Sequence, residues 1–262
     1  MAVTSARNVV DLKKKGLFER ENERIDKYTL GDKLPAQLAE LSLNKRAMSK
    51  PSYSLCRITP ADKDQVLQFL SRFFFRDEPM NLAVNLIETP ESRCPELEDY
   101  AIATIEEKVS VAAVDENGDF VGILINGIAR REEADYTDKS EECPNPKFKR
   151  ILKVLSHLDR EAQIWEKLPK ECHTVMEVRI ASTHSGWRGR GLMRALCEES
   201  ERLAKAIGAR AMRMDATSAF SAAASERLGY KKIYSVAYAD LPYAPQPEPP
   251  HLEARVYVKE LL

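Results

Sequence analysis

The sequence predicts a mixed α/β domain in which antiparallel hairpin strands come first and a strand–helix–strand–helix succession follows. Three observations carry this reading. Val109 to Val114 and Phe120 to Asn126 are apolar runs joined by Asp115-Glu116-Asn117-Gly118, and an Asn-Gly pair readily takes the positive φ angles of a tight antiparallel turn. Thr174 to Thr183 is a strand-like run that enters a glycine-containing turn, His184 to Gly191, and then a helical pattern from about Leu192 to Ile207. A second such pair follows, Ala211 to Asp215 and Ser218 to Leu228, stopped at Gly229.

The remaining elements fall into place in order. Residues 1–52 are rich in charge, as in Lys13-Lys14-Lys15 and Glu19-Arg20-Glu21, and have no aromatic cluster to nucleate a core. They are expected to form an N-terminal extension, partly helical or disordered. The compact domain is expected over residues 53–262. Tyr53 to Ile58 alternates as a strand does, and Pro60-Ala61-Asp62 opens a helix with Val66, Leu67, Leu70, Phe73 and Phe74 on one face. Pro79 interrupts it, because a residue before proline avoids the α region, and a second helix is expected from Met80 to Ile87. Residues 130–146 read as a long polar loop. Lys147 to Trp165 has Phe148, Ile151, Leu152, Leu155, Leu158 and Ile164 at helical spacing. In the Leu192 helix, Leu192, Leu196, Leu203 and Ile207 share a face and Gly208 suits the C-terminal cap. Lys231 to Tyr238 and Ala254 to Val258 are the closing strands, and Pro242 to Pro250 between them is irregular.

Composition narrows the function classes. Lys plus Arg number 40 against 41 Asp plus Glu in 262 residues, so no global field favours nucleic acid or a membrane surface. The five cysteines, Cys56, Cys94, Cys143, Cys172 and Cys197, are an odd number without a CxxC pair, which suits free thiols in a reducing compartment. The four histidines form no metal-ligand pattern. No apolar run approaches the ~20 residues that span a bilayer, and the N-terminus lacks a signal-peptide apolar region. A cytoplasmic monomer without a metal is expected.

Two segments carry chemistry. In Thr183-His184-Ser185-Gly186-Trp187-Arg188-Gly189-Arg190-Gly191-Leu192-Met193 a strand runs through glycines into a helix. Such a turn aims backbone N–H groups and the positive end of the helix dipole at one spot, and Arg188 and Arg190 add charged donors. A diphosphate ligand follows; an ordinary turn with solvent-facing arginines is the competing reading. The Lys-Ser/Thr pair of a P-loop and a dinucleotide GxGxxG are both missing. In Phe73-Phe74-Phe75-Arg76-Asp77-Glu78-Pro79-Met80-Asn81, two carboxylates stand beside aromatic rings at a broken helix end. Desolvation there would raise a carboxylate pKa toward the range of a useful base, although either acid can instead cap the next helix.

Arg188 to Met193 resembles the Arg/Gln-x-x-Gly-x-Gly/Ala signature with which the GNAT superfamily binds the pyrophosphate of acetyl-CoA; Met193 stands where Gly or Ala is usual. The resemblance implies a mostly antiparallel, splayed central sheet flanked by helices. It implies a cofactor site at Arg188, Gly189, Arg190, Gly191, Leu192 and Met193, with the backbone of Ala181, Ser182 and Thr183 pairing with the pantetheine arm. Phe-Phe-x-x-Asp-Glu-Pro resembles the insect arylalkylamine (dopamine) N-acetyltransferases, whose motif Glu is a general base acting through ordered water. Carried over, that residue is Glu78. Cys143-Pro144-Asn145-Pro146-Lys147-Phe148-Lys149 and Pro250-His251-Leu252 extend the likeness over roughly Tyr53 to Leu262.

An acyl transfer also asks for a group to meet the departing thiolate. Many GNAT enzymes place a Tyr four residues before the helix-ending Gly; Ser225 stands there. The insect family's two serines match Thr217 and Ser221, with Ser221 the preferred acid and Thr217 its support. The alternative makes Thr217 or Ser218 a helix N-cap and Ser221 a small packing residue. Phe74, Asp77, Met80, Phe220 and Tyr238 are candidates to wall the amine pocket, His184 lies close to the cofactor turn, and plain core is the alternative for the apolar residues. The resemblance implies acetyl-CoA and a small amine such as dopamine, tyramine, tryptamine or serotonin as the substrates. Agmatine, polyamines, longer acyl donors and a non-catalytic CoA-binding role remain as alternatives.

Overall fold

The computed structural model describes residues 52–261, so the N-terminal extension read from the sequence lies, except for Ser52, outside the described residues. Seven strands form one sheet: β1 (Ser54–Arg57), β2 (Val111–Val114), β3 (Phe120–Arg130), β4 (Thr174–Thr183), β5 (Ala211–Ala216), β6 (Lys231–Ala237) and β7 (Glu253–Glu260). Their spatial order is β1-β2-β3-β4-β5-β7-β6, and every neighbouring pair is antiparallel except β4 with β5. The helices are α1 (Lys63–Phe73), α2 (Pro79–Ala83), α3 (Pro95–Ile102), α4 (Pro146–Ala162), α5 (Ile164–Lys167), α6 (Leu192–Ala206) and α7 (Ala219–Arg227). The parallel pair needs a crossover, and α6 supplies it.

Two apolar clusters divide the helices between the faces of the sheet. On one face Leu70 of α1, Tyr100 of α3 and Ile151 and Leu155 of α4 join Ile123, Ile125, Val175 and Ile180. On the other, Leu192, Leu196 and Leu203 of α6 and Ala222 of α7 join Leu124, Val178 and Met212. Strand residues of alternating parity therefore feed opposite cores, as the pleat demands.

Most expected elements appear within a residue or two, and the differences have local causes. In the hairpin turn Gly118 alone takes positive φ, 89°. The Asp115 N–H donates to the Asp119 carbonyl and the Gly118 N–H to the Asp115 carbonyl, a loop one residue longer than a two-residue turn. Its spare residue is matched by a slip in register at Ala113 and Val114. The second helix begins at Pro79 and ends at Ala83, short of Ile87, because Asn85 turns left-handed with φ 49°. The helix expected to Trp165 breaks at Gln163, φ 45°, into α4 and α5; it starts where the Asn145 side chain accepts the Lys147 and Phe148 N–H groups. Residues 130–146 contain two 3-10 turns, Arg131–Glu133 and Ser140–Glu142. Sequence reading missed α3, whose buried Leu97, Tyr100 and Ala101 keep helical spacing over only two turns.

The arrangement of β3, β4 and β5 positions everything that follows. In the β3–β4 ladder Ile125 faces Ile180 and Asn126 faces Val178, which leaves Arg179 as the extra residue of a β-bulge. The β4–β5 ladder runs from Val175↔Ala211 to Val178↔Met214 and stops there, although β4 continues to Thr183 and β5 to Ala216. The sheet opens between them. Gly122 of β3 lets α6 lie close against this region, since a Cβ there would stand 2.9 Å from Leu192 Cδ2 and 3.1 Å from Leu196 Cδ1. Gly122→Val is expected to overpack this contact and cost about 1–3 kcal/mol, read as a lowered midpoint in urea unfolding.

Candidate functional site

Past the bulge, Ala181, Ser182 and Thr183 pair with Leu124, Ile123 and Gly122 of β3, and no β5 residue faces them. The other edge of β4 is an open strand edge, the kind of backbone that an extended, amide-bearing ligand arm pairs with. The Ser182 hydroxyl donates to the Phe73 carbonyl at 3.0 Å, which ties this edge to the end of α1.

The turn after β4 then leads into α6. Ser185–Trp187 make a 3-10 turn, the His184 Nδ1 accepts the Gly186 N–H at 3.0 Å, and its ring lies 4.4 Å from that of Phe73. Gly189 (φ 76°) and Gly191 (φ 81°) both occupy the left-handed region, and Gly191 is the residue from which the helix springs. The first N–H groups of a helix have no partner within it, so Leu192, Met193 and the following residues offer the anion-binding donors read from the sequence. Leu192 is buried and Met193 is half-buried against the α6-side core. Arg190 lies 5.6 Å from the Trp187 ring centroid, and Arg188 donates to Asp77 Oδ2 at 3.0 Å with both side chains about half exposed.

The acidic segment lies across the opening. The Asp77 and Glu78 N–H groups both donate to the Phe74 carbonyl, turning the chain at the end of α1. Glu78 is only 1 % exposed. Its Oε2 accepts the Asn81 N–H at 2.8 Å, capping α2, and its Oε1 accepts the Thr217 hydroxyl at 2.8 Å, from a residue 139 positions away. Of the two roles weighed for this acid, the cap is present, and the other carboxylate oxygen is held by a residue distant in the chain. Burial pushes its pKa above the ordinary glutamate value, and the donors from Asn81 and Thr217 oppose the rise. The Asn81 side chain also donates to the Phe75 carbonyl at 3.1 Å, closing the turn on itself.

Thr217 follows the last residue of β5, and its carbonyl accepts the Tyr238 hydroxyl at 2.8 Å. Ser218 caps α7: its hydroxyl accepts the Ser221 N–H at 3.0 Å, and the two serine hydroxyls stand 2.9 Å apart. Ser225 donates to the Ser221 carbonyl at 2.9 Å. His251 Nδ1 accepts the Ala219 N–H at 3.2 Å. Phe74, Met80 and Tyr238 are buried on the same core side as Glu78, whereas Phe220 is 68 % exposed with its ring 5.0 Å from that of His251.

The structure thus brings Glu78 and Thr217 together, keeps Ser221 within the cap of α7, and joins Asp77 to Arg188. Asn81, which sequence reading did not single out, Ser218, read only as a possible cap, and Tyr238, read as a pocket wall, complete this hydrogen-bonded arrangement; the Tyr238–Thr217 contact has no local signal. Among the described residues no three His, Cys, Asp or Glu side chains are grouped to hold a metal ion, and no helix is long and apolar enough to cross a membrane. Thr217→Val removes one donor from the Glu78 carboxylate and is expected to raise its pKa further. The carboxyl carbon shift of Glu78, followed by NMR against pH, reads this directly.

No family model matches the sequence. Among solved structures, arylalkylamine N-acetyltransferase 2 from Aedes aegypti is 31% identical with a TM-score of 0.74, the match covering 80% of this chain and 100% of that one. A mosquito arylalkylamine N-acetyltransferase-like 5b shares 24% identity and a TM-score of 0.71 over the same shares. The polyamine N-acetyltransferase of Drosophila melanogaster, which forms N-acetylagmatine, shares 21% identity and a TM-score of 0.70, again over 80% and 100% of the two chains. The last two carry the fold. With the first, the open β4 edge and the glycine turn into α6, they lead to one conclusion: the chain belongs to the insect arylalkylamine N-acetyltransferase family of the GNAT superfamily and is an acyl-CoA-dependent N-acyltransferase.

Proposed function

We propose that the protein transfers the acetyl group of acetyl-CoA to the primary amine of small arylalkylamines such as dopamine, tyramine, tryptamine and serotonin, with Glu78 as general base. The observation that carries this reading is the buried Glu78 carboxylate, held by the Thr217 hydroxyl at the end of β5 where the sheet opens. An alkylammonium resembles lysine, with a pKa near about 10.4, and must lose a proton before it can attack. A carboxylate whose pKa burial has raised is a stronger base than an exposed one.

The reaction then needs few parts. The α6 turn holds the diphosphate of acetyl-CoA and the open edge of β4 pairs with pantetheine, which lays the thioester toward the end of β5. Glu78 takes the proton, directly or through water; the amine nitrogen forms its bond to the thioester carbonyl carbon, and the carbon–sulfur bond breaks to release CoA thiolate. Thr217 donates to the Glu78 carboxylate, and Ser221, which donates to the Ser218 carbonyl at 3.0 Å and would turn from it, is the hydroxyl assigned to the thiolate.

Two features favour an aromatic monoamine over a diamine. A second cationic group needs an anionic partner, and Asp77, the carboxylate next to Glu78, is engaged by Arg188. Of four large apolar side chains left exposed among the described residues, Leu82, Phe220 and Leu252 stand on the segments that carry Glu78, Ser221 and the Tyr238 contact, where they can meet an aryl ring. The five free cysteines suit a reducing cytoplasm.

Thiol release from acetyl-CoA across dopamine, serotonin, tyramine, agmatine and spermidine tests the acceptor. Turnover should concentrate on the aromatic amines; turnover confined to agmatine or spermidine would overturn the assignment. Glu78→Gln should lower kcat about a hundred-fold or more, while the KM for acetyl-CoA, set by β4 and α6, stays near the parent value.

A further inference from the structure

A cluster of charge is buried where the sheet opens, and the chemistry described above does not use it. Arg213 on β5 is fully buried; its Nε and Nη2 donate to the two oxygens of Asp215 at 2.9 Å each. Its Nη1 reaches Asp159 on α4 at 2.6 Å and Glu177 on β4 at 3.5 Å. Arg179, the bulge residue of β4, is buried beside them with its guanidinium 4.5 Å from the Tyr100 ring centroid on α3. Two arginines and three carboxylates therefore sit inside the protein. Such groups are costly to bury, and apolar side chains of similar volume often replace them without loss of stability. Stability alone is a poor reason for this cluster.

Its position offers a better one. Glu177 faces Arg213 across the β4–β5 ladder, Val178 faces Met214, and the next pair in register, Arg179 with Asp215, does not form. Arg213 still reaches Glu177 on β4 at the last level but one of the ladder; beyond it β5 is held toward α4 through Asp215, Arg213 and Asp159, while Arg179 of β4 lies over the Tyr100 ring of α3. Two residues beyond Asp215, just past the end of β5, comes Thr217 with its bond to Glu78.

We propose that the buried Arg213–Asp215–Asp159 cluster is a wedge that parts β4 from β5 and so positions the pantetheine groove, with Arg213 as the positioning residue at its centre. The proposal rests on reading the open β4 edge as that groove.

The test compares two ligands by calorimetry: CoA, and adenosine 3′-phosphate 5′-diphosphate, the CoA head without pantetheine. The variant Arg213→Met/Asp159→Leu/Asp215→Leu replaces the wedge by apolar side chains and leaves Glu177 to face Arg179. If the wedge sets the gap, the variant keeps its circular dichroism and binds the nucleotide within about two-fold of the parent, yet loses about ten-fold or more in CoA affinity, as misplaced binding groups do. Unchanged CoA affinity in the folded variant overturns the proposal, and so does an equal loss for both ligands, which marks general damage. Should the triple variant not fold, Asp159→Asn decides by the same comparison, with a weaker loss confined to CoA expected. Failure of the parent protein to bind CoA would overturn the groove reading itself, before any variant is considered.

Discussion

The pairing of β4 with β5 ends four residues after it begins, and the rest of the protein is arranged around that interruption. A parallel ladder that continued to Thr183 would bury the backbone of Ala181 to Thr183 in hydrogen bonds to β5. Arg179, left over in the bulge against β3, turns the strand instead and frees one edge. An open edge inside a sheet is unfavourable unless a ligand or solvent satisfies it, so the cost of the opening and the capacity to bind an extended arm are two views of the same feature. The turn into α6 follows the end of β4, and Thr217, with its bond to Glu78, follows the end of β5.

Glu78 caps a helix with one oxygen and, in the function proposed, would serve as base while the other is held by Thr217. A carboxylate at this depth is destabilised in its charged form. The Asn81 N–H makes it the cap of α2, a bond that helps hold the five-residue helix in place, and the Thr217 hydroxyl takes its second oxygen. Tyr238 in turn fixes the Thr217 backbone. Each group limits the freedom of the next, which fits a base that must keep one orientation while substrates come and go. Asp77, one residue earlier, points outward to Arg188 and shares none of this burial.

Much of this was legible in the chain. The run Thr174 to Thr183, the glycines at 189 and 191 and the apolar spacing of Leu192, Leu196 and Leu203 are local patterns, and β4, the turn and α6 follow them closely. A cap at Thr217 or Ser218 was readable from residue type, and the structure gives it to Ser218. The second helix was too long because Asn85, a residue type that readily turns left-handed, was not taken as its stop, and α3 was missed because eight residues give too few apolar repeats to stand out. The candidate residues were found, but not their pairings: Asp77 with Arg188 and Glu78 with Thr217 join positions more than a hundred residues apart, and neither has a local signature.

By itself, then, the sequence determined the succession of elements, the glycine turn into α6 and the identity of the acid beside Pro79, because each depends on residues within a few positions of one another. Tertiary structure alone decided where the sheet opens, which hydroxyl meets Glu78 and which acid remains at the surface. Those outcomes depend on burial and on register between distant strands. Arg179 is an arginine among many until the β3–β4 register makes it the extra residue of a bulge, and Glu78 is a helix cap until the end of β5 brings Thr217 to its other oxygen.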